Sequence, residues 1–264
     1  MILDELAAYA HQRVQEAEAY LPLEAMRAQA EALPPARHAF YHTLRDDPEL
    51  SFICELKKAS PSKGVISEKF PYRSILHEYK MGGANAISCL TEPKWFMGSN
   101  EIFEDVRANT TLPLLRKDFT VSDYQIYEAR IMEADAVLLI CSLLDTKTLA
   151  HYLELCDHLG LDALVETHDE AEIESALEAG ARIVGVNNRN LNDFTVDFSN
   201  AERLRNLIPE SVLYVAESGV KTPADVGAVA RIGADGVLMG EALMRADNIP
   251  AFLQACRDAA YEAY

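Results

Sequence analysis

The chain has 264 residues, a formal net charge of −18 and a pI of about 4.7. Because affinity for nucleic-acid phosphates comes mainly from clustered Lys and Arg, this charge argues against nucleic acid as a partner. The content of 49% apolar and 25% charged residues is typical of a globular protein, and no apolar run approaches the length of a membrane-spanning helix.

The first segment of the chain, residues 1 to about 45, has the pattern of a helical extension. Its stretch ILDELAAYAHQRVQEAEAYL is rich in good helix formers and places Ile2, Leu6, Ala10 and Val14 near helical spacing. The start is acidic and amphipathic, whereas a secretory signal is basic and then continuously apolar, so we do not expect export. We assign residues 1–48 to an N-terminal helical extension of one domain that spans residues 1–264.

From residue 52 onward, short apolar runs alternate with amphipathic helical stretches. The runs are FICELK (52–57), AISCLT (86–91), LPLLRK (112–117), AVLLIC (136–141), ALVET (163–167), RIVGVN (182–187), VLYVAE (212–217) and GVLMG (236–240). Eight such runs predict eight βα units whose strands are buried on both faces. The sequence therefore predicts an α/β fold, a (β/α)8 TIM barrel over residues 49–264. The competing open sheet lacks its G-x-G-x-x-G pattern after the first strand.

Polar side chains end several of these runs, and in such barrels the carboxyl ends of the strands build the active site. They are Glu55, Lys57, Lys117, Glu166, Asn187, Arg189, Glu217 and Ser218. Period-two alternation puts Glu55 and Lys57 on one face of the first strand and Cys54 on the other. If these groups converge, they form an acid–base cluster with shifted pKa values. The alternative is a set of solvated rim residues or inert ion pairs.

Small residues after three of the strands predict an anion site. The segments are SPSKG after the first strand, ESGV after the seventh and MGEALM after the eighth. Their backbone N–H groups could approach a phosphate, and barrels commonly hold phosphate after strands seven and eight. A plain tight turn explains each segment alone equally well. In TEPKWFMGSN, Trp95 and Phe96 are expected to form a wall for an aromatic ligand, or else to pack over the barrel rim.

The cysteines and histidines do not have the spacing of metal ligands. Five cysteines are an odd number without a C-x-x-C pair, which argues against a disulfide framework and against a zinc site. The seven histidines show no H-E-x-x-H or comparable pattern, so solvated or packing roles are expected for them. We therefore expect no metal, and a reducing cytoplasm as the location.

Seven ordered motifs make the chain resemble the indole-3-glycerol phosphate synthase family. They are ELKKASPSKG, TEPKWFMGS, LLRKDF, LVETHDEAE, GVNNRNL, VAESGV and LMGEALMR, and the likeness spans essentially the whole chain. The resemblance implies a (β/α)8 barrel without a cofactor. It also implies conversion of 1-(2-carboxyphenylamino)-1-deoxyribulose 5-phosphate to indole-3-glycerol phosphate, CO2 and water in tryptophan biosynthesis.

The resemblance further implies roles for individual residues. Lys117 would protonate the ribulose carbonyl, and we expect neighbouring cations and partial burial to lower its pKa toward neutrality. Lys57 would hold the anthranilate carboxylate, and Glu166 would be the base in the dehydration. The residues that would hold the lysines and the substrate hydroxyls are Glu55, Asn187 and Glu217. Substrate-binding positions would be Ser60, Trp95, Phe96, Arg189, Leu191, Ser218, Gly219, Gly240 and Glu241.

One departure from the family pattern and two alternative functions remain. Many relatives have Ser where this chain has Glu241, so only the backbone N–H of Glu241 is expected at the phosphate. A phosphoribosylanthranilate isomerase would use a Cys base, but Cys54 is expected to face the helices. A non-catalytic phosphate-binding barrel would keep the small-residue loops and lose the acid–base set, which is intact here. Weak association with other tryptophan-pathway enzymes is left open.

Overall fold

The eight predicted strands form a closed parallel barrel in a computed structural model of the chain, which describes residues 2–34, 36–188 and 199–263. Their bounds are Ser51–Leu56 (β1), Ala86–Leu90 (β2), Leu114–Lys117 (β3), Ala136–Ile140 (β4), Asp162–Thr167 (β5), Ile183–Asn187 (β6), Leu213–Glu217 (β7) and Gly236–Met239 (β8). The barrel closes because β1 pairs with both β2 and β8. The predicted (β/α)8 fold is confirmed.

Helices precede the barrel, lie in the connections between its strands and follow its last strand. They are Ile2–Tyr20 (α1), Leu23–Glu31 (α2), Ala39–Asp46 (α3), Tyr72–Met81 (α4), Asn100–Ala108 (α5), Asp123–Ile131 (α6), Thr146–Leu159 (α7), Glu170–Glu178 (α8), Ser199–Arg205 (α9), Pro223–Arg231 (α10), Glu241–Met244 (α11) and Ile249–Tyr261 (α12). Several begin after a polar side chain that accepts a first-turn backbone N–H, as Ser99 does for α5 and Asp169 for α8. Within the described residues, no helix is long and apolar enough to cross a membrane.

Period-two alternation divides the hydrophobic core into an inner and an outer layer. On β1, Ile53 packs inside the barrel, and Phe52 and Cys54 pack in the outer layer with the helices. Glu55 has the same parity as Ile53 and is buried. The strand therefore aims Glu55 toward the barrel axis, as the alternation predicts.

Helix α3 closes the amino-terminal end of the barrel. Its Phe40 and Leu44 are buried in the inner layer of the core. At the start of β5, the carboxylate of Asp162 accepts a hydrogen bond from the backbone N–H of Tyr41 at 2.8 Å and lies 2.9 Å from Nδ1 of His38. Packing and hydrogen bonds thus fix α3 across this end of the barrel.

Helix α1 lies at the opposite, carboxyl-terminal end. Ile2, Leu3 and Leu6 line the cavity there. Farther along α1, the guanidinium of Arg13 makes two hydrogen bonds, of 3.0 and 2.6 Å, to the carboxylate of Asp118, which directly follows β3. Because such a bidentate pair fixes both position and angle, it holds α1 beside the strand that ends in Lys117.

Candidate active site

The carboxyl-terminal ends of the strands surround a cavity of about 390 Å³. The predicted site residues that line it are Glu55, Lys57, Ser60, Phe96, Lys117, Glu166, Asn187, Glu217, Ser218, Gly219, Gly240 and Glu241. Among the described residues predicted for the site, Trp95 alone does not line the cavity. Arg189 and Leu191 lie outside the described residues. The others meet because all strands of a parallel barrel end at the same edge.

Lys117 lies at the end of β3 between carboxylates from two other strands. Its Nζ is 3.3 Å from Oε2 of Glu166 on β5 and 3.6 Å from Oε2 of Glu217 on β7. Burial alone would lower the pKa of Lys117, but these carboxylates outweigh burial and raise the pKa above its ordinary value. The expectation of a pKa near neutrality is wrong, since acidic groups rather than cations surround this ammonium. Lys117 is therefore held in its charged form.

Glu55 and Lys57 form an ion pair at the end of β1, with 2.6 Å between Oε1 and Nζ. The hydroxyl of Ser88 donates to Oε2 of Glu55 at 3.3 Å. Burial would raise the pKa of Glu55, but the two nearby lysines outweigh burial and lower it. A Cβ on Gly240 would lie 2.6 Å from Oε1 of Glu55 and 3.1 Å from Nζ of Lys57, so a larger residue there would force this pair to shift.

Glu217 is the carboxyl group of the cluster that favours its protonated form. Burial and the neighbouring carboxylate of Glu166 raise the pKa of Glu217 to about 8. Its Oε1 is buried without a hydrogen-bond partner among the described residues. A Cβ on Gly185 would lie 2.1 Å from that oxygen, so the glycine of β6 makes space for this side chain.

Glu166 contacts polar groups from several elements. Besides Lys117, the side chain of Asn187 makes a hydrogen bond with it. His168 brings its Nε2 to 3.5 Å from Oε1 of Glu166. Burial would raise the pKa of Glu166, but Lys117 and His168 outweigh burial and lower it. Glu166 is therefore an ionised carboxylate, able to accept a proton.

Sequence reasoning missed His168 as a neighbour of the cluster, although a usable signal was present. His168 follows Glu166 by two positions, and β5 extends to Thr167. The period-two alternation that paired Glu55 with Lys57 would therefore also have paired Glu166 with His168.

The loops after β7 and β8 bring small residues and cations to one side of the cavity. Ser218 and Gly219 both have left-handed backbones, with φ of 61° and 87°. The cations Lys221 and Arg245 also line the cavity, which the sequence analysis did not anticipate. The carboxylate of Glu241 accepts a hydrogen bond from Nε of Arg245 at 3.1 Å and lies 3.9 Å from Nζ of Lys63. Lys221 and Arg245 thus add positive charge to the wall of the cavity that these small residues also line.

The loop after β2 is organised by the buried carboxylate of Glu92. This carboxylate accepts hydrogen bonds from the backbone N–H groups of Lys94, Trp95 and Phe96 at 2.7 to 2.9 Å. The turn directs Phe96 into the cavity wall and Trp95 toward α1, where the Trp95 ring meets that of Tyr9 edge-on with centroids 5.6 Å apart. The geometry favours rim packing for Trp95, the alternative in the sequence analysis.

This arrangement suits proton transfer on an anionic, partly apolar ligand. Two ammonium groups lie beside ionised and protonated carboxyl groups, and Phe96, Phe119 and Leu238 supply apolar wall. Charges in such a buried site interact more strongly than in water. Among residues 2–34, 36–188 and 199–263, no three His, Cys, Asp or Glu side chains are grouped so that they could hold a metal ion.

Solved structures of other enzymes share this fold at low sequence identity. A 3-hexulose-6-phosphate synthase from Salmonella typhimurium aligns with a TM-score of 0.67 and 12% identity, covering 81% of this chain and 100% of that chain. A thiamine phosphate pyrophosphorylase from Pyrococcus furiosus aligns with a TM-score of 0.62 and 18% identity, covering 85% and 98%. At these identities the likeness establishes the fold alone.

Sequence comparisons identify the family. The family model for indole-3-glycerol phosphate synthase matches residues 3–256. An indole-3-glycerol phosphate synthase from Ruminiclostridium cellulolyticum is 50% identical over 260 residues, which are 98% of this chain and 100% of the relative. Another from Endomicrobium trichonymphae is 43% identical over 258 residues, covering 98% and 100%. The chain belongs to the indole-3-glycerol phosphate synthase family.

Proposed function

We propose that the chain closes the indole ring, converting 1-(2-carboxyphenylamino)-1-deoxyribulose 5-phosphate to indole-3-glycerol phosphate, CO2 and water in tryptophan biosynthesis. Family membership supports this carboxy-lyase activity on a phosphorylated small molecule. The observation that carries the assignment of residues is the contact of Lys117 with Glu166 and Glu217 in the cavity that also holds Lys57.

Lys117 is the acid of the ring closure. When the aromatic carbon attacks the ribulose carbonyl, a C–C bond forms and the carbonyl oxygen gains negative charge, which the ammonium of Lys117 neutralises by donating a proton. A raised pKa does not prevent this step, because an alkoxide is far more basic than an amine. Glu217, 3.6 Å away with a pKa of about 8, is a proton source for recharging Lys117.

Lys57 holds the carboxylate of the anthranilate ring. Its Nζ faces Oε1 of Glu55 at 2.6 Å, which fixes the ammonium at the cavity wall. Decarboxylation breaks the bond between the ring carbon and the carboxylate, and the bonding electrons stay in the ring. This step is favoured where the carboxylate leaves water for a less polar pocket, and Phe96 and Phe119 supply such surroundings.

Glu166 is the base of the dehydration. Loss of CO2 has already restored the aromatic six-membered ring, and loss of water then makes the new five-membered ring aromatic. This step requires a base that takes a proton from the five-membered ring and an acid that protonates the departing hydroxyl. Glu166 is ionised, and its Oε2 lies 3.3 Å from Lys117 Nζ. Asn187 and Glu55 orient the lysines and the substrate hydroxyls around this pair, and Lys57 assists acid catalysis.

The substrate phosphate binds beside the loops after β7 and β8. Ser218 and Gly219 offer backbone N–H groups there, and Gly240, the N–H of Glu241 and Ser60 complete the site together with Arg189. Leu191 is a further substrate-binding position, and both Arg189 and Leu191 lie outside the described residues. Lys221 and Arg245 add positive charge at the cavity wall. Such remote contacts supply binding energy that secures the substrate during decarboxylation.

The alternative activities receive less support. Cys54 is fully buried in the outer layer, and burial raises its pKa, which does not favour the Cys base of an isomerase. A non-catalytic phosphate-binding barrel has no need of the acid–base cluster around Lys117.

The location and the partners are part of the same proposal. Five buried cysteines without disulfide bonds support a reducing cytoplasm as the location. We expect contacts with other tryptophan-pathway enzymes to be weak, which sedimentation of mixtures at micromolar concentration would measure.

The activity is tested by the appearance of indole fluorescence from the carboxyphenylamino-ribulose phosphate. Wild type should produce it, and Lys117→Ala should lower kcat by about 100- to 10,000-fold without unfolding the barrel. Lys147→Ala, which removes an exposed lysine on α7 away from the cavity, is the matched control and should behave as wild type. No product from folded wild type would refute the function, and equal rates for wild type and Lys117→Ala would remove Lys117 from the mechanism.

A further inference from the structure

His168 lies between two carboxylates at the edge of the site. Its Nε2 is 3.5 Å from Oε1 of Glu166 on β5, and its Nδ1 is 3.0 Å from Oε2 of Glu172 on α8. The imidazole is mostly buried, with 17% of its side chain exposed. His168 does not line the cavity, so its effect on the cavity passes through Glu166.

Glu172 is held in place by contacts other than its contact with the imidazole. It accepts a hydrogen bond from the backbone N–H of His168 at 2.8 Å and one from the hydroxyl of Ser142 at 2.5 Å. Its own backbone N–H donates to Oδ1 of Asp169, the N-cap of α8, at 2.9 Å. The first turn of α8 and the turn after β4 thus hold this carboxylate against Nδ1 of His168.

Two flanking carboxylates favour the doubly protonated form of the imidazole. A neutral ring has one N–H and one lone pair, so one of its nitrogens would face a carboxylate oxygen without a proton between them. An imidazolium has a proton on each nitrogen. Its Nδ1 donates to Glu172 at 3.0 Å, and its positive charge attracts Glu166, whose Oε1 lies 3.5 Å from Nε2.

The acidic groups that act on the ring come from three elements. Glu172 lies on α8, Glu166 on β5 and Glu217 on β7. Lys117 on β3 faces Glu166 from the cavity side. The acidic groups among them favour a positively charged ring.

Resting on the function proposed above, we propose that His168 is a positioning residue for Glu166: fixed by Glu172, it holds the Glu166 carboxylate ionised and turned so that Oε2 faces Lys117. The two oxygens of Glu166 then have separate partners, with His168 at Oε1 and Lys117 at Oε2. Because each oxygen has its own partner, the Glu166 carboxylate stays in one orientation and stays ionised for its role as base in the dehydration.

The electrostatics agree with this geometry. Burial would lower the pKa of His168, but Glu172 and Glu166 outweigh burial and raise it. In turn, His168 is one of the groups that lower the pKa of Glu166. Removing the imidazolium therefore raises the pKa of Glu166, and the base becomes available only at higher pH.

The test is the pH profile of kcat for His168→Gln. The acidic limb should move to higher pH, so that kcat at the acidic end falls about tenfold relative to wild type while kcat at the alkaline end and KM stay within about twofold. His151→Gln is the matched control, since His151 pairs with Asp123 at 3.0 Å on the exposed face of the helices and should leave the profile unchanged. An acidic limb at the wild-type position in His168→Gln would overturn the proposal.

Two further measurements cover the case in which His168→Gln does not fold. Glu172→Gln should move the acidic limb in the same direction by a smaller amount, and Glu172→Asp should restore it toward wild type. In the wild-type protein, the ring ¹⁵N shifts of His168 should report an imidazolium at pH 7, and a neutral ring there would overturn the proposal without any activity measurement. Absence of product from wild type would instead refute the underlying function, while the ¹⁵N result would still stand.

Discussion

At the scale of single residues, Glu217 is the carboxyl group whose ionised form is disfavoured in the folded protein. Its pKa rises from 4.5 to about 8 through burial and the nearby Glu166. In the unfolded chain Glu217 ionises near its ordinary pKa, so between about pH 4.5 and 8 the folded state binds a proton that the unfolded state has released. The contribution of Glu217 to stability is therefore present below this window and is lost as the pH rises through it.

Glu217→Gln should remove this pH dependence, because glutamine has nearly the same shape and does not ionise. At pH 8.5 the melting temperature of the variant should exceed that of wild type by at least about 2 °C, whereas at pH 4.5 the two should nearly coincide. Thermal denaturation followed by circular dichroism at both pH values measures this. A difference that is the same at pH 4.5 and 8.5 would contradict the assignment. We also expect the variant to have a lower kcat, since Glu217 recharges Lys117 in the proposed mechanism.

At the scale of elements, the loop after β2 depends on one buried carboxylate. The carboxylate of Glu92 accepts hydrogen bonds from three backbone N–H groups, and the turn that these bonds hold directs Phe96 toward the cavity. Gly98 completes the turn, because a Cβ there would lie 2.1 Å from the carbonyl oxygen of Leu90. This loop is thus held by specific contacts of its own rather than by the packing of its aromatic rings alone.

Glu92→Gln should loosen this loop and weaken substrate binding more than catalysis. The amide has a single acceptor oxygen, and its NH2 group would face backbone donors that the carboxylate satisfied. We expect KM to rise about tenfold with kcat nearly unchanged, in keeping with the loss of a charged hydrogen bond. Hydrogen exchange at the amides of residues 94–96 should accelerate in parallel. The control is Glu101→Gln on the exposed first turn of α5, and an unchanged KM in Glu92→Gln would refute this role.

The strands could be predicted from the sequence, whereas the orientations of some loop side chains and the pKa of Lys117 could not. The strands were predictable because a strand that is buried on both faces appears in the sequence as an apolar run. The alternation of side chains along β1 then predicted that Glu55 and Lys57 point inward. Trp95 and Phe96 could not be told apart, because the turn that separates them is made by Glu92, whose burial the pattern does not reveal. The pKa of Lys117 was predicted in the wrong direction, since its partners lie on strands far away in sequence and their distances decide the sign.

At the scale of the whole molecule, the N-terminal helices contact both ends of the barrel. Helix α3 buries Phe40 inside the amino-terminal end, and α1 supplies apolar wall to the cavity at the carboxyl-terminal end. The segment before β1 therefore contributes to the core at one end of the barrel and to the site at the other.

Phe40→Ala should destabilise the whole barrel while sparing its chemistry. Removing a fully buried ring from the inner layer should lower the free energy of unfolding by about 3 to 5 kcal/mol. Urea denaturation measures this loss, and kcat per folded molecule should stay close to wild type because Phe40 lies at the end opposite the cavity. His42→Ala, an exposed change on the same helix, is the control. A loss below about 1 kcal/mol would mean that α3 is not part of the core.

The closure of the barrel also limits how early the chain can finish folding during its synthesis. β1 completes its pairing only with β8, where Ser51 lies beside Gly236. During synthesis at about 5 to 20 residues per second, the first strand waits roughly 10 to 40 s for its last neighbour to emerge from the ribosome. Throughout that interval the open edge of β1 and the apolar face of α3 are available to other nascent chains. Chaperone demand during translation should accordingly peak just before the final strand leaves the exit tunnel.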